Sequence, residues 1–136
     1  MDVTQIPFAK HIGIEHEDEG TLKLKSTQSV QNHIQSIHAS AQFTLAETQS
    51  GLYLQLCFLE LVGKVAGVLR GATVKYKNPA TTAIYAVATI EKKEKEKFLI
   101  QLDRKSRAGI VVRVEVRDSQ NIVCMQGEFS WFVQKI

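Results

Sequence analysis

Apolar residues fall thickest between Ala39 and Leu61, and they favour no single side. Phe43, Ala46, Ser50, Leu54, Cys57 and Leu61 recur every three or four residues, while Leu45, Leu52, Tyr53, Leu56, Phe58 and Leu59 fill most other directions. The pattern predicts a helix from about Ala39 to Leu59 that is apolar nearly all round, as when a helix is wrapped by other structure instead of lying on a surface. At 1.5 Å per residue it would be roughly 30 Å long, about the diameter of a small domain. A polar loop, Asn32-His33-Ile34-Gln35-Ser36-Ile37-His38, runs straight into it.

The rest of the chain alternates with a period of two. Ile6 to His11, with Pro7 near its start, reads as a short turn or helix that could lid one end of a core. Ile12 to Glu17 and Thr21 to Lys25, separated by Asp18-Glu19-Gly20, form a predicted hairpin with Ile12, Ile14, Leu22 and Leu24 on one face. Val68, Arg70, Ala72, Val74 and Tyr76 alternate with Leu69, Gly71, Thr73, Lys75 and Lys77, and Asn78-Pro79-Ala80 then turns the chain into Thr82 to Ile90. The mixed-sign tract Glu91 to Lys97, followed by Phe98, Leu99 and Leu102, reads as a solvated helix or protruding turn with a small apolar footing. Ile110 to Val116 and Val123 to Val133 make a final hairpin.

Five or six antiparallel strands and one all-round apolar helix pack most economically when the sheet curls around the helix. The expected class is therefore α+β, a curved antiparallel five- to six-stranded sheet wrapped around one long central helix. A curved open sheet leaves edges, so at least a homodimer is expected.

Length and composition narrow the setting. The 136 residues are read as a single domain, 1–136, and 44% hydrophobic with 23% charged residues describes a globular chain. Glu47, Gln49, Gln55, Glu60 and Lys64 interrupt the longest apolar stretch, so no bilayer span and no membrane partner are expected. Met1 to Gln5 has neither the charged start nor the apolar core of a secretion signal. Cys57 and Cys124 stand far apart in apolar contexts, as buried free thiols do in a reducing compartment, and the expected location is cytoplasmic. A net charge of +3 with mixed signs gives no basic footprint for nucleic acid. His11/His16 and His33/His38 are each five apart, one more than two ligands on a helix face require, so no metal is expected. Neither Ser40 nor Ser50 sits in a nucleophile elbow.

Glu47 is the one carboxylate inside the long helix, with Phe43, Thr44, Ser50 and Gly51 as its neighbours three and four residues away. Ionised and unpaired in an apolar interior, such a group would cost several kcal/mol, so it is partnered, protonated, or facing a cavity that water or a ligand reaches. The plainer alternative puts it on the helix's one wet side, bonded to nearby backbone. His38 has its own plain reading as a helix-capping or packing residue.

The loop and helix together resemble the hotdog fold, and within it the small acyl-coenzyme A thioesterases of the phenylacetate-pathway type. That family's signature is Asn, two residues, Gly, two residues, His-Gly-Gly, then an acid nine positions after the His in an Ala-acid-Thr context. Here the matching positions are Asn32, Gln35, His38-Ala39-Ser40 and Ala46-Glu47-Thr48, so Asn, His and acid keep their spacing while the three glycines are replaced. The resemblance implies hydrolysis of an acyl-CoA or related acyl thioester to free acid and thiol, with coenzyme A part of the substrate and no cofactor. It implies Glu47 as general base or nucleophile, Asn32 orienting the attacking group or carbonyl, and His38 shaping the loop. The first backbone N–H groups of the helix, at Ala39, Ser40 and Ala41, would be oxyanion donors, with Thr48 also lining the substrate site. Glu47 lies roughly 12 Å up the axis from Ala39, too far to serve its own helix start. The family resolves this with a dimer, or a dimer of dimers, in which one protomer's carboxylate faces its partner's loop. Lys64, Lys75 and Lys77 are candidates for the CoA phosphates. By alternation Arg70 would face away from the latter two. A hotdog protein that binds an acyl chain or CoA without turnover is the alternative.

Overall fold

The long apolar run folds as predicted in kind but not in extent. In the computed structural model, which describes residues 1–136, α2 covers Ala39–Cys57. It ends two residues before Leu59 because Phe58 leaves the helical region (φ −130°, ψ 58°) and buries its ring against Phe98, with centroids 5.0 Å apart. A 3-10 turn, Leu59–Leu61, follows. Ala41, Leu45, Ala46, Gln49, Ser50 and Leu52 are all buried, so α2 hides most of its circumference.

The sheet that surrounds it has six antiparallel strands: β1 Glu15–His16, β2 Leu22–Leu24, β3 Val65–Tyr76, β4 Ile84–Thr89, β5 Arg107–Asp118 and β6 Val123–Lys135. Their order is β1-β2-β4-β5-β6-β3, and α2 packs against β2, β4, β5 and β6. This is the hotdog arrangement. Alternation works through β4 and β5, where Ile84, Ala86, Val112, Val114 and Val116 point to the helix with essentially no exposure. The inner face closes on α2 through Phe129, whose ring meets that of Phe43 at 5.4 Å.

Three expectations are corrected. Ile12 belongs to helix α1, Pro7–Ile12, and not to the first hairpin, because Gly13 (φ 95°) caps that helix in the left-handed conformation before the chain extends. The charged tract takes the helical of its two expected forms, α3, Lys92–Lys105, and the correction is to its footing, which is Phe98 and Leu102 without Leu99, an exposed residue. In β3 the alternation reverses at a bulge between Leu69 and Gly71. Register with β6 pairs Gly67 with Val133, Leu69 with Trp131, Ala72 with Phe129 and Val74 with Gly127, so these β3 residues face inward. Val68 pairs with outward Phe132, and Arg70, the extra residue, lays its guanidinium 3.8 Å from the centroid of that ring. Arg70 therefore shares the outer face with Lys75 instead of opposing it.

Two connections fix α2 within the sheet. Gln49 is fully buried; its Oε1 accepts from the Leu22 amide at 2.8 Å and its Nε2 donates to the Gly20 carbonyl at 2.8 Å. At the other side the loop before α2 is pinned by the Ile37 amide, which donates to Ala80 at 2.7 Å. No helix is long and apolar enough to cross a membrane. Both cysteines are free thiols.

Candidate functional site

The loop before α2 is built by Asn32. Its Oδ1 accepts from the amides of Ile34 and Ser36, both at 3.0 Å, and its Nδ2 donates to Ser36 Oγ at 2.8 Å. The Asn32 amide donates to the Ser36 carbonyl, and an isolated bridge between Gln31 and Ile37 closes the loop. The side-chain amide is thus committed to holding the turn. At the tip Gln35 has φ 62°, a left-handed conformation that costs a non-glycine residue of order 1–3 kcal/mol.

His38 is the N-cap of α2, and its Nδ1 accepts from the Ser40 amide at 3.0 Å. That leaves the proton of the neutral ring on Nε2. The Ala41 and Gln42 amides both donate to the His38 carbonyl. Of the first helical amides only that of Ala39 is without a partner, so the expected row of free donors at Ala39, Ser40 and Ala41 is reduced to one. The reason is local: a side-chain acceptor at the cap satisfies one of the orphan amides, as caps do. His38, Ala39 and Ser40 are all exposed, at the positive end of the helix dipole. Tyr76, from the far end of β3, donates its hydroxyl to the Ala39 carbonyl at 3.0 Å.

Glu47 stands apart from this loop. It lines a cavity of about 540 Å³ between one stripe of α2, the N-terminal segment and the start of β3. Thr44, Thr48, Gly51, Leu54 and Phe58 complete the helical side; Val3, Ile6, Phe8 and Ala9 face them; Val65, Gly67, Trp131 and Val133 close the sheet side. The carboxylate makes no hydrogen bond and no ion pair, and burial pushes its pKa above the ordinary value. Thr48 and Thr44 are beside it, but their hydroxyls donate back to the helix, to the carbonyls of Thr44 and Ser40 at 2.6 and 2.9 Å. None of Asn32, His38, Ala39 and Ser40 borders this cavity. Within one protomer the acid and the loop are two separate places.

The lysines do not gather. Lys64 precedes β3 and Lys75 lies at its other end, so a strand rise of about 3.3 Å per residue puts them roughly 35 Å apart. Lys77 is with Lys75, and all three are exposed. No cluster of three His, Cys, Asp or Glu side chains comes together anywhere.

Several cavity residues escaped the sequence reading. Trp131 is the chief one: its indole Nε1 donates to Ser50 Oγ at 2.8 Å, and Ser50 in turn donates to the Glu47 carbonyl. The partners lie 81 residues apart, so no local pattern links them. A single glycine, Gly51, inside an otherwise helical run was the available signal.

The sequence profile of a family described as Domain of unknown function (DUF4442) matches residues 6–133. No curated protein matches the chain. Among solved structures, a Pseudomonas aeruginosa protein described as of unknown function and a probable thioesterase superposes with a TM-score of 0.82 at 20% identity, covering 98% of this chain and 91% of that one. A thioesterase from Haemophilus influenzae gives 0.77 at 18% identity over 98% and 86% of the two chains. A Bacillus halodurans protein solved with CoA gives 0.71 at 25% identity over 93% and 74%.

Proposed function

The chain belongs to the DUF4442 family, and from that membership, its hotdog fold and the cavity at Glu47 we propose that it is a thioesterase acting on an acyl-CoA or a related acyl thioester. The observation that carries this reading is an unpaired carboxylate set in an apolar cavity of about 540 Å³. A structural glutamate would be paired or out in water; one held half-buried and free has its charge available to a reacting group.

In this reading the Glu47 carboxylate takes a proton from water as the water oxygen attacks the thioester carbonyl. The tetrahedral intermediate then collapses, the C–S bond breaks, and the thiolate leaves and is protonated. Direct attack by the carboxylate, which breaks the C–S bond, expels the thiolate to be protonated and gives an anhydride that water opens to the free acid and the restored carboxylate, uses the same placement. The oxyanion is received by the free Ala39 amide at the α2 N-terminus, and by the Ser40 amide if substrate displaces His38 Nδ1 from it. Asn32 holds the loop in shape, His38 tunes how many donors it offers, and Thr48 borders the acid. The two halves meet across a homodimer: Glu47 of one copy faces the loop of its partner. The separation of acid and loop within a protomer supports this, as does β3, a 12-residue strand with no neighbour on its outer edge. The CoA-bound relative makes CoA the first thiol to test. Because Lys64 is remote from Lys75 and Lys77, the phosphates would be met by one group or the other.

A second reading, binding of the thioester without turnover, is favoured by the His38 cap on the Ser40 amide. Thiol release from short, long and aromatic acyl-CoA esters separates the two. The parent is expected to release thiol and Glu47→Gln, which keeps the size and removes the charge, to lose about a hundredfold or more. No release from any ester overturns the hydrolytic reading.

A further inference from the structure

The cavity has a shape that its acid alone does not explain. It follows α2 from Thr44 to Phe58, and from Glu47 to Phe58 the helix rises about 16 Å, the length of an extended chain of roughly a dozen carbons. Beyond Glu47 its walls are mostly apolar; the polar exceptions are Thr48 and Gln55, whose Oε1 accepts from the terminal ammonium of Met1 at 3.1 Å. Halfway along sits Gly51, one turn past Glu47, in the middle of a 19-residue helix where glycine costs stability relative to alanine. Nothing nearby requires it. A Cβ there would meet only Trp131, at 3.6 Å, an ordinary contact, and the helix demands no unusual dihedral. Gly67 repeats the situation on the sheet side: its absent Cβ would also meet Trp131 at 3.6 Å. The indole between them is held in place by Ser50. Two glycines therefore flank a fixed indole on the wall of the cavity, and what they supply is room.

We infer that Gly51 and Gly67, on either side of Trp131, form the seat of an unbranched acyl chain of roughly a dozen carbons running from Glu47 toward Phe58 and Phe98. The inference deepens the thioesterase reading and rests on it for the position of the thioester. Length decides against an aromatic acyl group: an arylacetyl group reaches less than half of the roughly 16 Å between Glu47 and Phe58 and would leave the far end of the cavity unfilled.

The test is calorimetric binding of butyryl-, octanoyl-, dodecanoyl- and phenylacetyl-CoA to the parent, Gly51→Ala and Gly51→Leu, with thiol release followed on the same samples. In the parent, affinity should rise with each methylene, by up to about fourfold, and dodecanoyl-CoA should bind at least tenfold tighter than phenylacetyl-CoA. Gly51→Leu should cut the dodecanoyl-to-butyryl affinity ratio at least tenfold, and Gly51→Ala, which adds one methyl and melts no lower than the parent, should cut it in the same direction. Equal ratios in the parent and Gly51→Ala, or phenylacetyl-CoA binding as tightly as dodecanoyl-CoA, overturn the seat. Thiol release without chain-length dependence removes the seat and leaves the hydrolytic reading standing; chain-length-dependent binding without release does the reverse.

Discussion

Replacing Gln49 by methionine tests how the central helix is held to the first hairpin. Methionine keeps the side chain's length and unbranched shape, so the packing loss is small, but both polar contacts go. The two losses are unequal. Gly20 is exposed, and water can take over at its carbonyl. Leu22 is completely buried, and its amide, which donates to Gln49 Oε1, is left without a partner in an apolar interior. An orphaned buried donor costs about 1–3 kcal/mol, and we take roughly 2. With an unfolding entropy of about 2.1 cal/mol/K per residue over 136 residues, that loss lowers the melting temperature by about 7 °C. Thermal unfolding followed by circular dichroism reads the shift, and hydrogen exchange at the Leu22 amide reads its local cause. A drop below about 2 °C with unchanged exchange at Leu22 would refute the reasoning, since the amide would then have found another acceptor.

Other perturbations follow from the same geometry. Gln35→Gly should raise stability by about 1 kcal/mol in urea titrations, because the left-handed φ of 62° suits glycine; a loss of stability would mean that the glutamine side chain compensates for the strain. Gly127→Ala should destabilise by about 1–3 kcal/mol, since a Cβ there would stand 2.7 Å from Val74 Cγ1 and 3.1 Å from the Thr73 carbonyl. For Glu47, burial raises the folded-state pKa above the ordinary 4.5, so ionisation penalises the fold. The penalty is absent below the unfolded value and complete once pH exceeds the raised one. Glu47→Gln should accordingly melt above the parent at pH 7, with the two converging as pH falls below about 4; a pH-independent difference would count against a desolvated carboxylate.

What could be read in the sequence was whatever repeats over short distances. The all-round apolar character of Ala39 to Cys57 determines that something must wrap it, and the period-two runs of β4 and β5 supply the wrapper. Departures came where one residue breaks a period. The extra residue at Arg70 turns the face of β3 over, and its side chain, charged either way, gives no hint of the reversal. Gly13 and Phe58 moved element ends by one or two residues through backbone conformation alone. At the helix start, residue types offered both free donors and a His38 cap, and the cap is what the structure has; the choice between them depends on a rotamer that the sequence does not carry. Gln35 was legible only because a glycine position in a resembling motif implies a positive φ. Trp131 and Gly51 meet through the fold, and no spacing connects them.

The bulge in β3 bears on how this protein behaves when crowded. Its outer edge offers 12 residues of unpaired backbone, long enough to template stacking by any extended chain. Arg70 sits almost at its midpoint, however, so the edge is two short straight runs set at an angle, Val65–Leu69 and Gly71–Tyr76. A flat intruding strand can match one run or the other but not both. A second copy of the same strand, laid antiparallel about a two-fold axis near Arg70, carries the same bend and can follow it. If the protein pairs with its own copy through this edge, the irregularity that reversed the face of the strand would also select that closed pair over open-ended stacking.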